Sequence, residues 1–304
     1  MKSKIKLSVV LATRNEEINI ERCLNSIKSI ADEIIIFDEH STDNTVEIAK
    51  KHSAKVFDVD HNDNFHITKQ KAIDKANGDW VLQLDADEVV TPKLAKEIVE
   101  IVNSTNDELK KRIIPFSSIN HQPLSINHKN LDLFTRHQKL IEVRDGTIGR
   151  KTGHVVAFFI PRMNMFFGKP LIYGGVYPDP AIRLIKRGFA RLPAKDVHEI
   201  MEADGEVGWL FNYMEHYDSP TFERYLERNN RYTDLIAKDL AKQKVPVNAL
   251  YFILYTLYKP ATTFLILYFR HAGFKDGFPG FVWSFFSALR FPISYMKYWQ
   301  TVRK

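Results

Sequence analysis

The stretch "LQLDADEVV", residues 82–90, drives an apolar run into three carboxylates, Asp85, Asp87 and Glu88, just before Thr91-Pro92 opens a helix. Carboxylate oxygens in that density suit a hard divalent cation, Mg²⁺ or Mn²⁺. Asp85 and Asp87 lie two residues apart at a strand end, and Glu88 reads either as a group supporting the metal's ligands or, preferred, as the acid of the helix entry. Two more polar clusters follow apolar runs: "ATRNEE", with Thr13, Asn15 and Glu16, and "FDEHSTD", with Asp38 and Glu39. Any one of them could be turn punctuation, since Asp and Asn are ordinary turn and N-cap residues. Three in this order point to a ligand site. Farther along, "YPDPAIRL" holds Asp179 and Arg183, "KDVHEI" holds His198 and Glu199, and "EHYDS" holds His216. The other histidines considered, His61, His66, His121, His128, His137 and His154, read as ordinary core or surface groups.

Such clusters need a scaffold, and the flanking pattern describes one. "IKLSVVLAT" is a continuous apolar strand, and "EEINIERCLNSIKSI" places Ile20, Cys23, Leu24, Ile27 and Ile30 on one helical face. "EIIIFD" forms a second strand, "STDNTVEIAKKH" a helix with Ser41 or Thr42 as N-cap, and "AKVFDV" a third strand. A helix over residues 67–77 and the strand "DWVLQLD" follow. Strands apolar on both faces and separated by helices predict a parallel, doubly wound sheet, whose ligands sit beyond the carboxyl ends of the strands. All three polar clusters fall on that edge.

With 304 residues, 44% of them hydrophobic, the chain can bury one large core, or one core with an appended segment. Cys23 is the lone cysteine, which excludes a disulfide framework and a cysteine-based zinc site and suits a reducing cytoplasm. The opening apolar stretch is short and meets Thr13-Arg14-Asn15, so it reads as a first strand rather than a signal peptide. Charge is uneven: residues 220–304 hold 13 Lys/Arg against 5 Asp/Glu, and 20 of the 37 aromatic residues. A near-neutral domain is followed by a basic, aromatic tail.

The stretches "SVVLATRNEEINIERCLNSI", "DEIIIFDEHSTDNTVEIAKKH" and "KQKAIDKANGDWVLQLDADE" together resemble the family-two glycosyltransferases of GT-A fold, which use nucleotide-sugar donors. "GGVYPDPAIRLIKRG", "VHE" and "HYDSPTFERYLERNNRYTDLIA" resemble the bacterial branch that includes lipopolysaccharide-core β-glucosyltransferases. The resemblance implies a mostly parallel Rossmann-like sheet with a C-terminal helical extension. It makes Asp85-Ala86-Asp87 the DxD motif, with Asp87 the direct ligand of Mn²⁺ or Mg²⁺ and Asp85 reaching the ribose or the metal. It places Asp38, with Glu39 as alternative, against the nucleotide base, Thr13, Asn15 and Glu16 over the uracil or ribose, and Lys69 near the base and phosphates. Lys69 stands where relatives carry Arg and cannot make a bidentate contact, and Gln70 replaces the usual Asn beside it. Asp179 falls at the carboxylate that acts as base, with Arg183 facing the diphosphate or an acceptor anion. Glu199 is the competing base and His198 a further metal ligand, since imidazole accepts Mn²⁺. His216 is an acceptor-side candidate.

Residues 104–170 show no single clear period; a loop-rich acceptor segment and a set of short strands and helices both fit. In the tail, "VPVNALYFILYTLY" ends at Lys259-Pro260 and "ATTFLILYF" at Arg270, each short of the ~20 apolar residues that span a bilayer. Aromatic residues interleaved with Lys and Arg predict helices lying in the headgroup layer; a helical subdomain packed on the core, or a dimer partner, is the competing reading. Nothing resembles a nucleic-acid-binding motif.

The expectation is therefore a GT-A catalytic domain over residues 1–215 and a membrane-associating helical extension over 216–304. Inversion and the donor class follow from the resemblance: a hexose, glucose foremost, moves from a UDP-sugar to a saccharide or lipid-linked acceptor in cell-surface glycan biosynthesis. The location expected is the cytoplasm, peripheral on the inner face of the cytoplasmic membrane. Two rivals remain: a polyprenyl-phosphate glycosyltransferase, and a non-catalytic sugar-nucleotide or lipid-binding protein.

Overall fold

The computed structural model describes residues 5–114, 130–193 and 200–302. They divide into two compact units, Met1–Arg162 with Pro178–His216, and Met163–Tyr177 with Tyr217–Lys304.

The first unit opens with β1 (Leu7–Thr13), α1 (Ile20–Ile27), β2 (Glu33–Asp38), α2 (Thr45–Lys51), β3 (Lys55–Asp58), α3 (Phe65–Lys75) and β4 (Trp80–Leu84). The apolar stripe of α1 is buried at Ile20, Cys23, Leu24 and Ile27, as its spacing demands. The short β5 (Glu88–Val90) precedes α4 (Pro92–Asn103), whose Thr91 cap accepts from the Leu94 amide at 3.3 Å. Then come α5 (Asn106–Lys110), α6 (Leu131–Asp145) and β6 (Val155–Ile160). Beyond β7 (Arg162–Phe166) and β8 (Lys169–Pro170), the unit resumes with β9 (Ala181–Lys186), β10 (Ala190–Arg191), β11 (Glu202–Ala203), β12 (Glu206–Trp209) and β13 (Met214–Ser219).

Seven strands form one sheet in the order β12-β6-β9-β4-β1-β2-β3. Strands β4, β1, β2 and β3 are mutually parallel, as expected, while β9 runs antiparallel to both β4 and β6. Its core joins Leu7, Val9 and Leu11 of β1 to Leu82 and Leu84 of β4 and Leu94 and Ile98 of α4. The stretch without a clear period contains a core strand: all six residues of β6, "VVAFFI", are buried. Phe134 of α6 stacks on Trp209 at 4.6 Å between ring centroids.

The second unit contains the β7–β8 hairpin, which pairs Met165 with Pro170, and α7 (Phe222–Lys242). A continuous helix, Ala249–Arg270, and a C-terminal helix, Gly277–Val302, follow. The C-terminal helix packs against both α7 and Ala249–Arg270. Its Gly280 approaches Gly273 so closely that a Cβ would lie 2.0 Å from the Gly273 carbonyl oxygen. Ala249–Arg270 corrects the expected break at Lys259-Pro260. Proline removes one amide donor, and π-helical turns at Leu254–Tyr258 and Ile266–Arg270 flank it and carry the helix through. The Lys259 ammonium folds over the Tyr255 ring, 3.6 Å from its centroid. The result is 22 residues long and, by length and composition, apolar enough to cross a membrane.

Candidate active site

The carboxyl ends of β1, β2 and β4 bring the N-terminal clusters together. The Thr13 hydroxyl donates to Asp38 Oδ1 at 2.8 Å, and the Ser41 amide and hydroxyl donate to Asp38 at 2.8 and 2.7 Å. Asn15, at φ +55°, accepts from the Thr42 amide at 2.8 Å and so ties the first loop to the second. Glu39 is buried, with Thr68 Oγ1 donating at 2.5 Å and His61 Nδ1 at 2.6 Å. The Glu16 carboxylate accepts from Asn19 Nδ2 at 2.9 Å.

At the end of β4 the two aspartates have different surroundings. Asp85 is taken by cations: Lys69 Nζ reaches Oδ1 at 2.5 Å and Arg183 Nη2 reaches Oδ2 at 2.7 Å. Burial opposes its charge, but Arg183 and Lys69 outweigh that and hold Asp85 well below the usual carboxylate range. Asp87 faces burial and the charges of Asp85, Glu88 and Glu16, which push it up to about 7. Its near neighbour is His216, whose Nε2 lies 3.6 Å from Oδ2. Strand pairing delivers that imidazole, because β13 runs antiparallel to β5 with His216 opposite Glu88.

Glu88 is not a helix-entry acid, as its position before Thr91-Pro92 implied. It starts β5, is fully buried, accepts from the Asp85 amide at 3.0 Å and meets Arg183 Nη2 at 2.7 Å. Arg162, which the sequence reading missed, approaches the same Glu88 oxygen at 3.6 Å and pairs with Asp179 Oδ2 at 2.9 Å. A line of alternating charge results: Asp179, Arg162, Glu88, Arg183, Asp85, Lys69. The Arg183 guanidinium also donates to Gln83. Gln70 accepts from the Leu192 amide at 2.7 Å, a contact just past the end of β10.

His198 and Glu199 lie outside the described residues, as do His121 and His128. Among the described residues, no group of three or more His, Cys, Asp or Glu side chains is arranged to hold a metal. A cavity of about 550 Å³, lined by residues including Thr147, Arg150, Arg191, Met201 and Asp204, contains none of the strand-end residues.

A mostly parallel sheet that gathers carboxylates at the ends of its strands is the GT-A fold. The chain belongs to glycosyl transferase family 2, whose profile matches residues 8–171. It is 43% identical over 103 residues to an uncharacterized glycosyltransferase of Rickettsia typhi, covering 34% of this chain and 35% of that one. It is 32% identical over 108 residues to the SPbeta prophage-derived glycosyltransferase SunS of Bacillus subtilis, covering 34% and 23%. The match thus spans about a third or less of these relatives' lengths. Among solved structures, S. aureus TarS residues 1–349 align at 15% identity and TM-score 0.40, covering 96% of this chain and 92% of that one. Glucosyl-3-phosphoglycerate synthase from Mycobacterium tuberculosis, in complex with Mn²⁺, UDP and phosphoglyceric acid, aligns at 16% identity and TM-score 0.40, covering 81% of each chain.

Proposed function

We propose that this protein is an inverting, metal-dependent glycosyltransferase that moves a hexose, glucose foremost, from a UDP-sugar to a saccharide or lipid-linked acceptor in cell-surface glycan assembly. Asp87 carries the reading: each carboxylate of the line has an Arg or Lys partner, while Asp87, with the His216 imidazole 3.6 Å away, sits among like charges. A carboxylate pushed up to about 7 by burial and by its acidic neighbours is a place where a cation is favoured. Asp87 would hold Mn²⁺ or Mg²⁺, with Asp85 beside it and the imidazoles of His216 or His198 as nitrogen donors. The bound ion would neutralise the diphosphate as it leaves.

The chain's own groups do the rest. Lys69 and Arg183 supply fixed positive charge next to Asp85, where the diphosphate of the donor would lie. Thr13, Asn15, Glu16, Asp38 and Glu39 form the wall for base and ribose. Asp179 takes the proton of the acceptor hydroxyl; the oxygen forms its bond to the anomeric carbon as the carbon–oxygen bond to the diphosphate breaks, with inversion. Glu199 is the alternative base. A UDP-hexose screen by thermal shift, with and without Mn²⁺, followed by turnover on envelope lipid extracts, tests the assignment. Stabilisation by UDP that ignores Mn²⁺ would contradict it.

The second unit supports peripheral attachment to the inner face of the cytoplasmic membrane. Leu250, Ile253, Leu257, Leu265 and Phe269 are exposed along Ala249–Arg270, and Phe278, Phe281 and Phe285 on the following helix. Contiguous apolar exposure of this kind needs a cover, and the basic excess of the tail favours anionic lipid. Arg290 Nε bonds Asn229 at 2.7 Å and Lys297 pairs with Asp234 at 2.7 Å, tying the C-terminal helix to the charged helix α7. That bracing favours lying along the surface over crossing. A polyprenyl-phosphate acceptor is the second reading, favoured by the length of Ala249–Arg270. Such an acceptor is already an anion and would not depend on Asp179.

A further inference from the structure

The geometry points to Arg162 as a positioning residue for the transfer step: it holds Asp179 in place and links it to Glu88, and thereby to the strand end that carries Asp85 and Asp87. This rests on Asp179 being the base. Arg162 grips the Asp179 turn at three points. Its backbone amide donates to the Pro178 carbonyl at 2.8 Å, its Nε to the Asp179 carbonyl at 3.1 Å, and its Nη2 lies 2.9 Å from Asp179 Oδ2. Asp179 has φ +37°, in the left-handed region that a residue with a Cβ occupies at a cost. Such a conformation persists only where the surroundings over-determine it, and these three contacts do so. The remaining guanidinium nitrogen, Nη1, approaches Glu88 Oε1, the oxygen that Arg183 Nη2 also contacts. Burial opposes the charge on Arg162, yet Asp179 and Glu88 outweigh it and raise its pKa above the ordinary value.

The contact does two things for a base. The guanidinium places a fixed positive charge 2.9 Å from the carboxylate. It also fixes the direction of the carboxylate, and a misplacement of about 1 Å at a reacting group can cost ~10²-fold in rate. Lysine at position 162 would keep the charge but lose the fork that grips carbonyl and carboxylate together.

The test uses the full chain with UDP-glucose and Mn²⁺, reading UDP release with either water or an envelope lipid extract as acceptor. Arg162→Gln should lower kcat by ~10²-fold while UDP–Mn²⁺ affinity stays within about threefold, and Arg162→Lys should fall between the two. Asn accepts positive φ better than most residues, so Asp179→Asn removes the charge and spares the turn. The double variant should then lose no more than Asp179→Asn alone, because both changes remove one function. Wild-type kcat in Arg162→Gln, or losses that add in the double variant, would overturn the positioning role while leaving Asp179 as base. Full activity in Asp179→Asn would overturn the base assignment itself, and the positioning role with it. A wild-type chain that turns over UDP-glucose with neither acceptor would overturn the donor reading on which both rest.

Discussion

The strand end of the first unit and the helices of the second break opposite rules of soluble proteins. Near β4, charge is buried: Glu88 is fully inside, and Arg183 and Lys69 are nearly so. Along Ala249–Arg270 and Gly277–Val302, large apolar side chains face outward, Phe278 at 71% and Leu250 at 70% exposure. Buried charges persist when paired, and all six in the Asp179-to-Lys69 line have a partner within 3 Å on at least one side, Arg162 being shared between Asp179 and the more distant Glu88. Among the described residues, these side chains keep much of their surface open even where rings touch, as Phe278 does Phe167 at 6.3 Å between centroids. One region pairs its charges internally, with Asp87 left to an imidazole 3.6 Å away; the other leaves apolar surface open to whatever surrounds the chain. The two departures mark where each unit has its work.

The largest effect expected from this contrast lies at Asp87. Replacing it by Ala should leave the fold intact and reduce transfer by ~10³-fold or more, the scale of losing a metal-held diphosphate. Transfer assays with Mn²⁺ check this, and near-wild-type turnover would remove the difference between Asp87 and its paired neighbours. Next is Asp179→Asn, which should cut kcat by ~10²-fold with UDP–Mn²⁺ affinity kept. If Glu199→Gln does this instead, the base roles are exchanged; if neither does, the anionic acceptor gains. Smaller again is the outward face. Leu257→Glu with Phe269→Glu should weaken sedimentation with anionic liposomes about tenfold, leave UDP binding unchanged, and add to the weakening by high salt. Unchanged liposome binding would indicate that these side chains face a protein partner.

Much of this contrast is legible in the residues. Strands β1, β2 and β4 are continuous apolar runs, and each ends in a polar cluster, so the sheet edge and Asp85, Asp87 and Asp38 can be placed without coordinates. The line of charge cannot. Arg162 stands in a run of mixed basic and aromatic residues, and its partners Glu88 and Asp179 are remote in sequence. Only the folding of β6 and β9 beside β4 brings the three together. Glu88 was misread for the same reason: before Thr91-Pro92 it resembles a helix-entry acid, and only its pairing with Arg183 shows otherwise. In the tail, Lys259-Pro260 looks like a break because the rule for proline assumes regular α-helix. Flanking π turns relax that rule.

The measurement closest to the central claim is the thermal stability of wild type and Asp87→Asn at pH 5.5 and pH 8, first alone and then with UDP and Mn²⁺. Burial and its acidic neighbours push Asp87 up to about 7 in the folded chain, above its ordinary carboxylate value of 3.8, so the folded state holds the extra proton and stability falls as pH rises between those values. Without ligand, the Asn variant should already melt somewhat higher than wild type at pH 5.5, and by a larger margin at pH 8. With UDP, Mn²⁺ should raise the melting temperature of wild type at pH 8 and leave that of the variant unmoved. A variant that gains as much from UDP and Mn²⁺ as wild type would contradict the assignment of Asp87 as the residue that holds the ion.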